Sequence, residues 1–224
     1  MTHPVRKVVT VHDEREAARY ALGNVCVVDD DDAVRVAVAA MLDHEGYAVC
    51  SFSSAESFLE FEARNEPLFP GPLCLLLDVK MPGESGLELQ RSLTSLQITI
   101  PVVFMSGGSS AAEAVQAMKA GALDFLIKPF DDNELLATVE RALAKSVENE
   151  RANLSVQEAA RRFATLSARE AQIARLVASG LQNQQIAGEL GIAERTVKLH
   201  RMHMMRKLGV SNVIELVRTL DNVG

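Results

Sequence analysis

At 224 residues the chain exceeds a usual single domain of roughly 100 to 200 residues, so two modest domains or one large one are expected. With 48% hydrophobic and 24% charged residues, 13 Gly and 7 Pro, it cannot be disordered, collagenous or low-complexity as a whole. The net charge of −7 is unevenly spread: residues 1–130 hold 10 Lys and Arg against 18 Asp and Glu, whereas residues 163–224 hold 8 against 5. An acidic front suits a cation and a basic tail suits an anionic partner such as nucleic acid.

The opening MTHPVRKVVTVHDEREAARY lacks the continuous apolar stretch of a signal peptide, and no apolar run approaches the roughly 18 residues of a membrane span. A cytoplasmic location and no membrane partner are the expectation. Residues 1–23 form an N-terminal extension without evident chemistry. From Asn24 to Phe130, short apolar runs alternate with helical periodicity: VCVV from Val25, AVCSF from Ala48, LCLLL from Leu73, VVFM from Val102 and FLI from Phe125. The helical segments between them cover 33–45, 55–64, 86–96 and 111–120. Near-continuous apolar strands alternating with helices predict a doubly wound, five-stranded parallel sheet covered on both faces, an α/β domain over residues 24–145. Ligands of such sheets bind at the carboxyl ends of the strands. Cys26, Cys50 and Cys74 lie within or beside the strand-like runs without metal-ligand spacing and read as structural thiols.

Between Phe130 and Gly180 there is neither Gly nor Pro, so a last domain helix is expected to run on into a helical linker over 146–162. Its apolar stripe, Leu136, Val139, Leu143 and Val147, then fades. From Leu166, short helices with punctuation follow. Ser167 and Glu170 make a capping box, Gly180 and Gly191 mark turns, and Ser211 can cap a last helix. Residues 163–224 are predicted to form a small all-α domain.

Asp29 to Asp32 follow the first apolar run, and Asp78 ends the third. Carboxylates gathered at one sheet edge repel unless a cation sits among them. An ion that takes one or two carboxylates together with water and phosphate oxygens fits, which points to Mg²⁺. Asp31 and Asp32 read as the start of a helix, where Asp caps open N–H groups; Asp29 and Asp30, directly after the strand, are the metal candidates. Ser106 follows VVFM and Lys128 follows FLI. Either alone is an ordinary turn residue or surface charge. Together, a hydroxyl and an ammonium beside three carboxylates and Mg²⁺ can hold the oxygens of a phosphoryl group, with Asp78 as nucleophile.

In the tail, residues 195–207 hold Arg195, Lys198, Arg201, Arg206 and Lys207 and no acid. That pattern suits phosphate binding. QNQQIAGEL and Gly191 before it supply the first helix and turn of a helix-turn-helix. If Val197, Met204 and Leu208 face the core, Lys198, Leu199 and Met202 lie towards a major groove, with Arg195 and Arg206 nearer the phosphates.

VVDDDDAVR, LLLDVKMPGESGLEL, VVFMSG and AMKAGALDFLIKPF, in that order, resemble the receiver domain of bacterial two-component response regulators. The stretch from Leu166 to Leu220 resembles the LuxR-type DNA-binding domain. The whole chain is thus similar to the FixJ/NarL family of transcriptional regulators. The resemblance implies that Asp78 accepts a phosphoryl group from a sensor histidine kinase, that Asp29, Asp30 and the backbone carbonyl of Lys80 hold Mg²⁺, and that Lys128 binds the phosphate. It makes Ser106 the switch hydroxyl and Phe125 the switch aromatic. It further implies homodimerisation on phosphorylation, binding to double-stranded promoter DNA, RNA polymerase as a further candidate partner, and a regulator in place of an enzyme. Three departures stand out: GGSSAA after Ser106, PLFPGP at 67–72, and Gln184 where many relatives carry lysine.

Two rival functions are weighed. A phosphatase of the haloacid dehalogenase type also uses a strand-end Asp with Mg²⁺, but resembles DxD at the nucleophile, and Asp78 is followed by Val79 and Lys80. A LuxR-type sensor of a diffusible signal calls for an apolar ligand cavity in the first domain in place of an acidic cluster.

Overall fold

The computed structural model describes residues 22–63, 71–108 and 111–222. The N-terminal extension as far as residue 21, most of PLFPGP, and Ser109 and Ser110 of GGSSAA lie outside the described residues. The chain divides into two compact units, residues 1–149 and 150–224.

The first unit is the expected doubly wound domain. Strands β1 (Asn24–Val28), β2 (Ala48–Phe52), β3 (Leu73–Asp78), β4 (Val102–Ser106) and β5 (Asp124–Ile127) form one parallel sheet in the order β2-β1-β3-β4-β5. Helices α1 (Asp32–Glu45), α2 (Ala55–Ala63), α3 (Gly86–Ser95), α4 (Ala111–Lys119) and α5 (Asp132–Ala164) connect or follow the strands. Successive strand residues point to opposite faces, and both faces are buried, which is why the strands read as unbroken apolar runs. Val25, Val27, Leu76 and Met105 pack with Val38 and Leu42 of α1 and Leu135 and Val139 of α5. Cys26, Val28, Leu75, Leu77 and Phe104 pack with Phe58 of α2, Leu89 and Leu93 of α3 and Ala117 of α4.

Local chemistry sets the helix ends. Asp31 caps α1 by accepting from the N–H groups of Ala33 and Val34, and Gly46 closes the helix with φ of 95°. Burial lifts the Cys74 thiol to about 12 and the Cys50 thiol to about 11, as inert packing residues require.

In the second unit, α6 (Ala168–Ala178), α7 (Asn183–Leu190), α8 (Glu194–Leu208) and α9 (Val213–Asp221) follow the end of α5. Ile173, Val177, Ile186, Val197, Met204, Leu208 and Leu216 form its core. Ser167 and Glu170 make the expected capping box of α6. The last helix is capped one residue later than expected: the Asn212 side chain accepts from Glu215 N–H, while Ser211 is bonded to the Glu215 carboxylate. Among the described residues, no helix is long and apolar enough to cross a membrane.

Candidate phosphorylation site and nucleic-acid interface

The parallel register sets the first site. Val28 lies opposite Leu77, so Asp29, the next residue after β1, falls beside Asp78 at the end of β3. Both carboxylates are buried, at 1% and 6% exposure. Lys128, just past β5, reaches across the strand ends and places its Nζ 2.5 Å from Asp29 Oδ2 and 2.6 Å from Asp78 Oδ1. The Lys128 N–H donates to the Ser106 carbonyl at 2.8 Å, which ties the lysine to the end of β4. The remaining carboxylate oxygens accept from backbone: Asp29 Oδ1 from Asp31 N–H at 2.9 Å and Asp78 Oδ2 from Lys80 N–H at 2.6 Å.

Burial pushes the Asp78 carboxyl up, against the opposing hydrogen bond and charge of Lys128. Burial depresses Lys128, but its hydrogen bonds to Asp29 and Asp78 outweigh that and hold the ammonium above its ordinary value. One ammonium therefore faces two buried carboxylates.

The structure brings Asp29, Asp78, Lys128 and Ser106 to one edge. Ser106 is buried at the end of β4, one residue past Met105, which lies opposite Asp78. Asp30 is exposed, and Lys80 follows two residues after Asp78 with its side chain paired to Glu113 of α4 at 3.1 Å. Phe125 sits half-buried in β5 opposite Phe104, with ring centroids 6.4 Å apart. Among the described residues, no three His, Cys, Asp or Glu side chains converge into a ready cage for a metal. The donor set nonetheless fits Mg²⁺, which needs only one or two carboxylates and keeps its waters; the carboxylates of Asp29 and Asp78 and of the exposed Asp30 are hard oxygen donors.

Two neighbours of this site escaped the sequence reading. Arg35 donates to the Asp29 carbonyl at 2.5 Å and pairs with Asp32, a contact that the three-residue spacing of Asp32 and Arg35 on a helix foreshadows. Gly86 comes so close that a Cβ there would stand 2.1 Å from the Asp78 carbonyl oxygen. No local pattern announces that approach.

On α8, Val197, Met204 and Leu208 are buried and Arg195, Lys198, Leu199, Met202 and Arg206 are exposed. Leu199 and Met202, at 49% and 56% exposure, are apolar side chains standing in water on a basic helix. Lys198 pairs with Glu194 at 2.8 Å. Arg201 is half-buried and donates to Asn183 Oδ1 of α7 at 3.0 Å. Lys207 is exposed as well. Its Nζ lies 2.6 Å from Oε2 of the buried Glu170 and 3.3 Å from the Thr165 carbonyl.

The Response regulator receiver domain family matches residues 25–140, and the luxR family of bacterial regulatory proteins matches residues 164–220. The chain belongs to the FixJ-like response regulators. It is 43% identical over 194 residues to the transcriptional regulatory protein FixJ of Azorhizobium caulinodans, covering 87% of this chain and 90% of that protein. It is 42% identical over 200 residues to the response regulator protein TodT of Pseudomonas putida, covering 89% and 86%. Among solved structures, it is similar to the response regulator StyR, with 42% identity, TM-score 0.70 and coverage of 89% and 98%. It is also similar to full-length FixJ from B. japonicum, with 36% identity, TM-score 0.54 and coverage of 90% and 97%. This response regulator thus joins a receiver domain to a LuxR-type DNA-binding domain and is a transcription regulator.

Proposed function

We propose that the protein is a phosphorylation-dependent DNA-binding transcriptional regulator in which Asp78 accepts a phosphoryl group from a sensor histidine kinase. The observation that carries this reading is the pair of buried carboxylates, Asp29 and Asp78, sharing the single ammonium of Lys128 at the strand ends. A carboxylate oxygen of Asp78 forms the new P–O bond as the P–N bond to the donor histidine breaks, and the departing imidazole takes up a proton. Asp29, Asp30, Asp78 and the Lys80 carbonyl would hold Mg²⁺, which when bound neutralises phosphate charge. In this reading Lys128, which lies between the two carboxylates, takes up a phosphate oxygen, and Ser106 donates its hydroxyl to another.

Movement of Ser106 towards the phosphate lets Phe125 follow, and this reshapes the α4–β5 surface. Val115 and Met118 of α4 and Ile127 of β5 are exposed there, and that apolar surface supports pairing of two receivers. A homodimer brings two α8 helices to a two-half-site promoter and raises the effective concentration of the second. Lys198, Leu199 and Met202 face the base edges and Arg195 and Arg206 the phosphates of double-stranded DNA; Arg201 and Lys207 are further DNA contacts, and RNA polymerase is a further partner. The domain assignment is a receiver over 24–145, a helical linker over 146–162 and a DNA-binding domain over 163–224, in a cytoplasmic protein. Intact-mass measurement after incubation with Mg²⁺ and acetyl phosphate tests the central step. The wild type should gain one phosphoryl group and shift from monomer to dimer in sedimentation, and Asp78→Asn should do neither. Undiminished phosphate on Asp78→Asn would overturn the assignment.

A further inference from the structure

The last turn of α8 is tied to the end of α5 by two reciprocal contacts, both within the second unit. In one, Arg162 of α5 donates from Nη1 to the Leu208 carbonyl at 3.2 Å. In the other, Lys207 of α8 donates from Nζ to the Thr165 carbonyl, just past α5, at 3.3 Å. Each end of a helix leaves backbone groups without an intrahelical partner. At α8, the Gly209 N–H takes the carbonyls of Arg206 and Met205, Val210 N–H also bonds to Met205, and the guanidinium takes Leu208. A cation at this terminus also suits the helix dipole.

Two features accompany the contact. Arg162 is held from behind by Glu158, whose Oε1 accepts from Nε at 2.7 Å one turn earlier on the same helix. Gly209 leaves the room: a Cβ there would stand 2.5 Å from Arg162 Nη1, and its φ of 70° favours glycine in any case. Phe163, the next residue of α5, packs on the core of the unit and carries the Arg175 guanidinium 5.7 Å from its ring centre. The end of α5 and the last turn of α8 are thus joined by these contacts. Lys198, Leu199 and Met202 project from that same helix.

We infer that Arg162 is a positioning residue for DNA recognition: through the Leu208 carbonyl it sets the tilt at which α8 presents its exposed face. This rests on the DNA-binding reading above and adds to it the residue through which the linker helix bears on recognition. Any rotation of the end of α5 is handed to α8 through this guanidinium.

The test uses the full chain and a duplex selected by the wild type from a random pool, with an unrelated duplex of equal length. Affinity for both is measured over a range of salt for wild type, Arg162→Met and Arg162→Lys, together with the melting temperature. Arg162→Met should lose about three- to tenfold in affinity for the selected duplex, the size of one typical net hydrogen bond. Its affinity for the unrelated duplex and its salt slope should stay unchanged, and Arg162→Lys should recover part of the loss. A salt slope lowered by about one contact, with both duplexes weakened alike, would show that Arg162 grips a DNA phosphate and overturn the inference. A lowered melting temperature with the ratio of the two affinities preserved would overturn it too, since Arg162 would then serve stability alone. If the wild type selects no duplex, the DNA-binding reading itself fails, which is a different result from either.

Discussion

Gly86→Ala tests whether the close approach of α3 to the end of β3 holds Asp78 in place. The added Cβ would stand 2.1 Å from the Asp78 carbonyl oxygen and 3.0 Å from Leu77 Cγ. An ordinary carbon-to-oxygen approach is about 3.3 Å, so something must retreat by about 1 Å. The carbonyl has little freedom, because β3 is hydrogen-bonded to β1 on one side and β4 on the other. The start of α3 is fixed by the Ser85–Glu88 capping box. Overpacking of this kind costs about 1 to 3 kcal/mol, and an obstacle made of backbone puts it at the upper end. For a unit of this size that lowers the melting temperature by about 5 to 10 °C. The same displacement moves the carboxylate from its contacts with Lys128 Nζ and Lys80 N–H, both at 2.6 Å. A misplacement near 1 Å can cost about 100-fold in rate, so labelling by acetyl phosphate should slow at least tenfold, on the order of that effect. Calorimetry and timed intact-mass measurement read the two effects. Gly188→Ala is the control: it lies within α7 with nothing within 4 Å of an added Cβ, and should stabilise the second unit by about 0.5 to 1 kcal/mol. Wild-type melting and wild-type labelling of Gly86→Ala would refute the reasoning.

Lys128→Met should destabilise the first unit at neutral pH by about 3 to 5 kcal/mol, because two buried carboxylates lose the ammonium they share. Burial already raises the folded pKa of Asp78 above its unfolded value, so its ionisation costs stability as pH rises from the ordinary carboxylate range; the deficit of the variant should shrink on acidification, which urea midpoints at several pH values will show. In the second unit, the hydrogen bond from Lys207, followed by that from Ser167 N–H, holds Glu170 down to about 2. That contribution is present above the unfolded value of 4.5 and is lost as pH falls towards 2, so Glu170→Gln should flatten the acid limb of the unfolding curve and cost about 2 kcal/mol near neutrality. On DNA, Lys198→Ala should lose discrimination between sites by about 1 to 3 kcal/mol, while Arg206→Ala weakens all sites alike; uniform weakening by both in titrations of paired duplexes would move the reading face elsewhere.

Apolar runs, turn residues and the strand-end acids carry most of this molecule in plain view. VCVV, LCLLL and VVFM are continuous because both faces of the sheet are covered, so local sequence alone reveals a parallel α/β domain and directs attention to Asp29, Asp78, Ser106 and Lys128 at its carboxyl edge. The burial of Val197, Met204 and Leu208 follows likewise from helical spacing. The order β2-β1-β3-β4-β5 and the meeting of Lys128 with Asp29 and Asp78, 99 and 50 residues away, are decided by packing across the whole sheet. The same holds for Gly86 against the Asp78 carbonyl, for Arg162 on the end of α8, and for the pairing of Lys207 with the buried carboxylate of Glu170. Spacing along the chain says which side chains share a face of one element. Which charge finds which partner depends on the cost of leaving a buried group unpaired, and that cost is set by elements distant in sequence.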